Sequence, residues 1–293
     1  MLPTPRYTLR GQVISTPIAV AAVLATVGIY SYNRYSTKSG PAKVFGRGLA
    51  LTSLRLDSVE ELSHDTKRFR FKLPTENTVS GLDLTSAVLT FSRPAGQFFP
   101  VVRPYTPVSD LAEPGFIDLA IKKYPKGKQS THIHSLLPGD SLFFLGSIRG
   151  YSWKPNAFNH VTLIAGGAGI TPMYQLIRGI FQNPEEKTKV TLVFGINNDR
   201  DALFKDEFAK LEQKFPSRFK VVYTVSNPSE GSPYPRGYVT KELLSRVMSI
   251  SQEKSEKVFV CGPPAMEASL LGSRRGGGVL GELGYTKSQI YKF

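Results

Sequence analysis

Cysteine is nearly absent from this 293-residue chain, which contains a single one, Cys261. One cysteine excludes an intramolecular disulfide framework, and it excludes an iron-sulfur or other metal cluster held by several cysteines of this chain. The four histidines show no metal-ligand spacing with carboxylates or thiols, so we predict no metal site. No Ser/His/Asp or Cys/His arrangement indicates a hydrolase.

Acidic residues are missing from the first 56 positions, whereas seven lysines and arginines lie there. Half of the formal net charge of +14 therefore belongs to the head of the chain. The positive balance of the remainder favours long-range attraction of an acidic protein partner. Nucleic acid is the alternative partner, but no aromatic-interleaved basic stripe and no zinc or RNA-binding signature accompanies the charge. We therefore predict no nucleic-acid binding.

Charge of either sign is absent from Gly11 to Asn33, and most of this run is apolar, with an arginine at each flank. The run predicts a single membrane anchor through residues 13–32. A cleaved secretory peptide is the alternative, although the run is long for one. The basic, acid-free head is typical of a mitochondrial address.

The pattern of apolar residues changes along the chain and predicts four segments. The basic head and anchor cover residues 1–35, and a flexible linker of glycines and small polar residues covers 36–50. Alternating apolar patterns separated by turn residues recur over 51–155, which predicts an antiparallel β-barrel. Apolar strands then alternate with helices over 156–293, which predicts a doubly wound parallel sheet. The expected fold class is therefore an all-β domain followed by an α/β domain.

The first motif that carries chemistry is the run RPYTPVS, from Arg103 to Ser109. Its prolines hold the backbone extended. It offers one fixed cation, one flat ring and two hydroxyls, which suits binding a phosphate beside a planar ring system. Arg103 and Tyr105 alternate along the extended segment and so lie on one side of it. Taken alone, the run could also be an edge strand with a surface arginine.

A second motif is the turn from Gly127 to Thr131, at a short helix that is predicted to start after Gly127 with Ser130 or Thr131 as its cap. Free backbone amides and hydroxyls at such a turn can bind an anion. A plain helix cap is the alternative interpretation.

A third motif is the strand, glycine turn and helix that run from Val161 into the residues Gly166 to Pro172. We expect Thr171 to cap this helix and Pro172 to take its first position. Glycines at the turn allow a dinucleotide to approach closely, and the start of the helix favours its phosphates. The spacing is not GxGxxG, so the turn alone is a weak signal.

The fourth motif, Cys261-Gly262-Pro263-Pro264, follows a predicted strand over residues 257–260. It therefore lies at a carboxyl edge, where open α/β sheets bind their ligands. A buried structural cysteine is the alternative.

With the motifs in this order, the chain resembles the ferredoxin-reductase-like flavoenzymes, and most closely the NADH-cytochrome b5 reductases of the fungal mitochondrial type. The resemblance runs from about Leu51 to Phe293. It implies FAD in the barrel and NADH in the parallel domain, with a hydride passing from NADH to FAD and single electrons passing to cytochrome b5 or a similar acidic haem protein. It also implies a monomer in the mitochondrial outer membrane, with a processed form in the intermembrane space.

The resemblance implies roles for individual residues. Arg103 would bind a flavin phosphate and Tyr105 would lie against the isoalloxazine. Thr106 near the flavin N5 and Cys261 beside the nicotinamide C4 are the predicted catalytic residues. The other predicted FAD contacts are Pro104, Ile121, Lys122, Tyr124, Gly127, Lys128, Gln129 and Ser130, although Lys122 could equally be a solvated lysine. The other predicted nicotinamide dinucleotide contacts are Gly167, Ala168, Gly169, Thr171, Pro172, Gly195, Ser226, Gly262 and Pro263.

Ser226 departs from the pattern of NADH-preferring relatives, which usually have aspartate there. An aspartate accepts the ribose 2′-hydroxyl and repels a 2′-phosphate, and serine does neither strongly. We therefore predict a relaxed choice between NADH and NADPH. The loop from Gly272 to Gly276 also departs from the pattern. Two alternatives stay open, namely a flavin reductase of another acceptor such as a quinone and a non-catalytic anchored binding protein on the same scaffold.

Overall fold

The structure is a computed structural model of the chain. The described residues are 8–9, 12–13, 40–46, 49–94, 96–248, 256–273 and 276–293. Thr8–Leu9 and Gln12–Val13 form a short antiparallel pair. The anchor predicted over residues 13–32 lies outside the described residues apart from Val13. Within the described ranges, no helix has both the length and the apolar character that a bilayer crossing requires.

The first large sheet is antiparallel. Its strands are β1 (Leu49–Glu61), β2 (Thr66–Lys72), β3 (Ala87–Ser92), β4 (Val101–Tyr105), β5 (Phe116–Lys122) and β6 (Ser141–Ile148). They are ordered β4-β3-β6-β1-β2-β5. Strand β2 alternates as the pattern predicted, with Phe69 and Phe71 fully buried between half-exposed basic residues. A bridge between Pro107 and Leu119 brings the two edges of the sheet together, as expected of the predicted barrel.

The linker predicted over residues 36–50 is in part a component of this domain. The amide of Phe45 donates to the Ser80 carbonyl at 2.8 Å, and the Phe45 ring packs on Phe144 with 5.7 Å between centroids. Strand β1 already begins at Leu49. The expectation of a flexible linker is therefore wrong around Phe45, because this large apolar side chain is 2% exposed and fills the core.

Helix α1 (Lys128–His134) begins directly after Gly127, as predicted, so most of the predicted anion-binding turn lies within its first residues. Its N-cap is Gly127, which makes no side-chain hydrogen bond, so the predicted caps Ser130 and Thr131 are wrong. The Ser130 hydroxyl instead donates to the Gly127 carbonyl and accepts from the Tyr124 amide, each at 3.2 Å. Ser130 thus stabilises the turn from inside the helix.

The second large sheet is parallel. Its strands are β7 (His160–Gly166), β8 (Lys189–Ile196), β9 (Phe219–Val225), β10 (Glu256–Cys261) and β11 (Ile290–Lys292). They are ordered β9-β8-β7-β10-β11. The chain first builds outward from β7 to β9 and then returns to add β10 on the other side of β7. The topological switch point, where such sheets bind ligands, therefore lies between β7 and β10.

The helices of the parallel domain are α2 (Ile170–Gln182), α3 (Lys205–Lys214), α4 (Lys241–Val247), α5 (Pro264–Leu271) and α6 (Val279–Glu282). Short 3-10 turns cover Gly167–Gly169, Asp199–Asp201 and Lys287–Gln289, and Gly272–Ser273 pairs with Gly276–Gly277. Helix α2 is capped by Gly169, so the predicted Thr171 cap is wrong and Pro172 is its third residue. Helix α3 begins at Lys205, directly after Phe204, whose left-handed φ of 58° ends the preceding turn.

Helix α2 joins the two sheets. The Gln175 amide nitrogen donates to the Pro107 carbonyl at 3.0 Å, and the Arg178 guanidinium donates to the Val108 carbonyl at 2.7 Å. Val108 is buried in the same apolar cluster as the residues of α2 and β7. An antiparallel domain followed by a parallel domain is thus the observed order. The exact boundary at residues 155 and 156 stays a prediction.

Candidate active site

A cleft of about 880 Å³ lies between the two sheets. One wall comes from β4, β5 and the start of α1, and the other comes from the glycine turn after β7 and the end of β10. This volume is within the range of about 300–1,000 Å³ that is typical of cofactor and small-molecule sites.

Most of the predicted site residues line this one cleft. They are Arg103, Pro104, Tyr105, Thr106, Lys122, Tyr124, Gly127, Lys128, Gln129, Ser130, Ala168, Gly169, Thr171, Pro172, Cys261, Gly262 and Pro263. Residues from four separate stretches of sequence are therefore brought together.

Four predicted residues lie elsewhere. Ile121 is 1% exposed in the antiparallel core, because side chains alternate along β5 and its neighbour Lys122 faces the cleft. The side chain of Ile121 is thus not a cofactor contact. Gly167 lies in the glycine turn without lining the cleft, and Gly195 and Ser226 lie at the ends of β8 and β9.

The RPYT wall presents a free cation and a neutral phenol. Arg103 donates to the Val102 carbonyl at 2.8 Å, and no carboxylate of the described residues pairs with it. Burial raises the pKa of Tyr105 to about 12, so its ring stays uncharged at neutral pH. A hydrogen-bond chain fixes this wall, since Thr90 donates to the Arg103 carbonyl at 3.1 Å and the Gln129 amide donates to Thr90 at 2.9 Å.

The glycine turn packs directly on the cysteine motif. A Cβ atom on Gly169 would lie 2.2 Å from the Cys261 carbonyl oxygen, so only glycine fits there. Glu267 accepts a hydrogen bond from the Gly262 amide at 3.2 Å and pairs with Lys292 at 2.6 Å. Burial, helped by the charge of Glu267, raises the pKa of Cys261 to about 12. The thiol is therefore protonated at neutral pH, which disfavours a thiolate nucleophile.

Lys122 is the centre of a charge cluster that spans both domains. Its ammonium lies 2.9 Å from the Asp65 carboxylate and 3.1 Å from that of Asp201, which belongs to the turn after β8. The Lys122 side chain is only 15% exposed, so the solvated-lysine alternative is wrong. Burial opposes its charge, but the two hydrogen bonds raise the pKa of Lys122 on balance.

His64, Asp65 and Asp201 bring ligand atoms within 4.8 Å of one another, a grouping that could in principle hold a metal ion. The ammonium of Lys122 already pairs with both carboxylates, at 2.9 and 3.1 Å. A cation at this point would face the charge of Lys122, so the grouping does not fit a metal site.

Ser226, the predicted ribose contact, lies at the end of β9 and has a hydroxyl in place of a carboxylate. The Ser226 amide donates to the Ile196 carbonyl at 3.0 Å, and its hydroxyl lies 3.5 Å from Asn197. The nearby Asp199 is occupied, because it accepts hydrogen bonds from the Ser229 amide and the Ser232 hydroxyl. Arg236 pairs through its backbone with Val225, next to Ser226, and its side chain is exposed.

Several cleft residues were not among the predicted contacts, although two of them, Gly166 and Pro264, belong to the predicted motifs. These cleft residues are Thr85, Ala87, Ala120, Lys126, Ile148, Arg149, Gly150, Gly166, Pro264, Tyr291 and Phe293. The alternation of aromatic and basic residues at the C-terminus could have indicated an inward-facing strand that carries Tyr291. Gly150 had no signal, since only the fold reveals that a Cβ there would lie 2.1 Å from the Thr85 carbonyl oxygen.

Two domain families match the chain. An oxidoreductase FAD-binding domain matches residues 53–153, and an oxidoreductase NAD-binding domain matches residues 163–271. The fold and the cleft thus define a two-domain oxidoreductase of the ferredoxin-reductase-like class, as predicted.

Curated fungal proteins identify the family. The chain is 46% identical over 291 residues to NADH-cytochrome b5 reductase 2 of Emericella nidulans, with 94% of this chain and 90% of that protein covered. It is 44% identical over 294 residues to the protein of the same name from Pyricularia oryzae, with 94% and 89% covered. The chain belongs to the NADH-cytochrome b5 reductase family. The predicted family and its FAD and NADH cofactors are thereby confirmed.

Solved structures agree with this assignment. The cytochrome b5 reductase domain of Ulva prolifera nitrate reductase superposes with a TM-score of 0.75 at 26% identity, covering 85% of this chain and 99% of that one. The CS-b5R domains of human Ncb5or give a TM-score of 0.70 at 25% identity, covering 84% and 70%.

Proposed function

We propose that this chain takes electrons from NADH through FAD and delivers them one at a time to cytochrome b5. The observation that carries the proposal is that the RPYT wall and the Cys261 motif face one cleft from opposite sides. FAD, when bound, accepts two electrons together and releases them singly, which a one-electron haem acceptor requires.

The cleft residues fit a flavin dinucleotide. Arg103 has no acidic partner among the described residues and is free to pair with a phosphate. Gly127 brings the turn close to the cleft, and a Cβ there would lie 2.4 Å from the Ser130 hydroxyl. The neutral ring of Tyr105 offers a flat surface beside Thr106.

The remaining residues position the two halves of the site. Gln175 and Arg178 hold the carbonyls of Pro107 and Val108, so helix α2 fixes the segment that follows Thr106. The same helix begins at the glycine turn that packs on Cys261. Because one helix supports both walls, the reacting groups are held in a fixed relative geometry. The protonated Cys261 thiol aligns the nicotinamide without reacting with it.

The site discriminates weakly between NADH and NADPH at the ribose that carries the 2′-hydroxyl or 2′-phosphate. Ser226 neither repels a 2′-phosphate nor binds a 2′-hydroxyl strongly, and the exposed Arg236 follows nearby. The chain therefore uses NADPH as well as NADH.

The substitution Ser226→Asp is expected to raise the preference for NADH over NADPH at least tenfold, because the new carboxylate repels the 2′-phosphate. The ratio of kcat/KM values for the two cofactors measures this, and an unchanged ratio contradicts it.

An anaerobic titration of the purified full-length chain tests the electron path. The absorption band of bound flavin is followed while NADH is added, and soluble cytochrome b5 is then supplied. Bleaching by NADH followed by haem reduction supports the proposal. A preparation that incorporates no flavin, or flavin that NADH does not bleach, overturns it. Faster reduction of a quinone than of cytochrome b5 would reassign the acceptor.

We also propose that residues 13–32 anchor a monomer in the mitochondrial outer membrane, with a processed form in the intermembrane space. The uncharged run behind a basic, acid-free head supports the anchor and the address. Alkaline extraction of purified mitochondria tests it, since an anchored chain stays with the membrane. Extraction of the whole population would contradict the anchor, and sedimentation of the detergent-solubilised chain tests the monomer.

A further inference from the structure

The β3–β4 connection carries an exposed aromatic pair. Phe98 is 80% exposed and Phe99 is 73% exposed, and their rings contact each other edge to face with 4.9 Å between centroids. We call these two residues the aromatic tip. Two adjacent phenylalanines left in water cost hydrophobic free energy, so a paired exposure of this kind points to a contact surface.

The connection that carries the aromatic tip joins the proposed flavin-binding wall of the cleft at both ends. It leads directly into β4, whose residues Arg103 and Tyr105 line the cleft. The other end of the connection is tied to the same wall, since the Ser92 hydroxyl donates to the side-chain oxygen of Gln129 at 2.5 Å. Gln129 also lines the cleft, so both ends of the connection that carries the aromatic tip are fixed to this wall.

The stretches of sequence that form this wall of the cleft are basic and contain no acids. Asp and Glu are absent from residues 84–109 and from residues 119–139, the two stretches that form this wall. Their exposed basic side chains form no ion pair within the described part of the chain, and they are Arg93, Arg103, Lys123, Lys126 and Lys128. An apolar centre within a cationic rim is the composition of a docking surface for an acidic protein.

We propose that Phe98 and Phe99 form the apolar contact on which the acidic haem protein docks to receive electrons. This inference rests on the proposed function. The acceptor has to come close to the flavin, so its docking surface must include the rim of the cleft. Buried aromatic residues carry much of the binding free energy of such interfaces, and rim charges mainly speed the encounter.

The test compares the full-length chain with the double variant Phe98→Ser, Phe99→Ser. Steady-state turnover with NADH is measured with soluble cytochrome b5 and with ferricyanide, a small acceptor that needs no docking surface. We expect the KM for cytochrome b5 to rise about tenfold or more, as truncating interface aromatics does. We expect flavin content and ferricyanide turnover to stay unchanged, which also shows that the variant folds.

Tyr238→Ser provides the matched control, because Tyr238 is a 75% exposed aromatic residue of the parallel domain. It should leave both turnovers unchanged. The dependence of KM on salt should keep its slope in the double variant, since no charge has been removed.

Three outcomes would overturn the docking role. An unchanged KM for cytochrome b5 removes it directly. Weaker binding of the double variant to phosphatidylserine vesicles at unchanged KM would assign the aromatic tip to a lipid surface instead. A wild-type chain that reduces ferricyanide but not cytochrome b5 would sink the proposed acceptor and this docking role together. In that last case the fault lies in the proposed function, whereas the first two leave it standing.

Discussion

At the scale of single residues, the closest approach in the site is between the glycine turn and the end of β10. Gly169 has an ordinary helical φ of −63°, so alanine is allowed by the backbone. The obstacle is the Cys261 carbonyl, which would lie 2.2 Å from the new Cβ, and a backbone atom cannot move aside cheaply. The site therefore depends on glycine here for space and not for conformational freedom.

Gly169→Ala is accordingly expected to displace the turn from Cys261 and to raise the KM for NADH about tenfold or more, because small misplacements of bound groups are costly. Flavin content should not change. Stopped-flow reduction of the flavin at varied NADH measures the effect. Gly281→Ala is the matched control, since nothing lies within 4 Å of a Cβ there. Equal behaviour of both variants would refute the steric argument.

The single thiol allows a second test at this scale. With a pKa raised by burial from its ordinary value of 9.0 to about 12, Cys261 has about a thousandfold less thiolate at pH 8 than a free cysteine. Alkylation by iodoacetamide should be slower by a similar factor, because the thiolate is the nucleophile. Mass spectrometry of the intact chain follows the reaction. Alkylation at the rate of a free thiol would show that Cys261 is accessible and ionised.

At the scale of elements, the predictions succeeded where side chains alternate and failed where glycine begins a helix. In strands such as β2, phenylalanines alternate with basic residues in the sequence, and this pattern predicted a strand with one buried face. Helices α1 and α2 are capped by Gly127 and Gly169, and neither cap makes a side-chain hydrogen bond. A glycine cap is a weaker sequence signal than a nearby hydroxyl residue, so the pattern favoured Ser130, Thr131 and Thr171. The predicted roles of the site residues came from the family resemblance, which rests on the order of the motifs along the chain. The spacing of residues within one motif cannot show that distant segments meet in one cleft.

The segment between the two sheets depends on one buried acid. Glu186 is 1% exposed and accepts hydrogen bonds from the Trp153 indole at 3.0 Å, the Asn156 amide at 2.8 Å and the Thr188 hydroxyl at 2.6 Å. Burial opposes its charge, but these hydrogen bonds lower the pKa of Glu186 on balance. A carboxylate thus ties the connecting segment to the loop before β8.

Glu186→Gln should destabilise the fold by about 1–3 kcal/mol, because an amide group replaces an acceptor among these donors. Thermal unfolding at neutral pH measures the loss. Because its pKa is lowered, the Glu186 carboxylate stabilises the folded chain above pH 4.5, and this contribution disappears as pH falls through the pKa of the folded state. The difference in melting temperature between variant and wild type should therefore shrink in acid. The exposed neighbour serves as control in Glu185→Gln. Equal melting temperatures for both variants would show that the buried hydrogen bonds of Glu186 do not stabilise the fold.

At the scale of the whole molecule, two domains act as one site because helix α2 and one ion cluster hold them together. The helix makes neutral and charged hydrogen bonds to backbone carbonyls, which hydrophobic patterning does not foresee. The cluster joins Asp65 and Lys122 of the antiparallel domain to Asp201 of the parallel domain. These residues are separated in sequence by 57 and 79 positions, as their numbers show, so only the fold reveals their contact.

Lys122→Met should loosen this junction, because it leaves the carboxylates of Asp65 and Asp201 close together without the ammonium that binds both, at a cost of about 1–3 kcal/mol. Burial opposes the charge of Asp65, yet its hydrogen bond to Lys122 lowers the pKa of Asp65 on balance. That stabilisation is present above the ordinary value of 3.8 and is lost as pH falls through the folded value. The gap between variant and wild type should therefore be widest near neutral pH and close in acid.

Thermal unfolding and limited proteolysis across the pH range measure this difference, and the variant should be cleaved faster between the two sheets at neutral pH. Lys123→Met is the matched control, since Lys123 is exposed and makes no ion pair among the described residues. This variant should melt at the same temperature as the wild type. A Lys122→Met chain as stable as the control at neutral pH would mean that helix α2 alone holds the domains together. A gap that instead widened in acid would contradict the electrostatic origin, because protonated carboxylates no longer need the ammonium of Lys122.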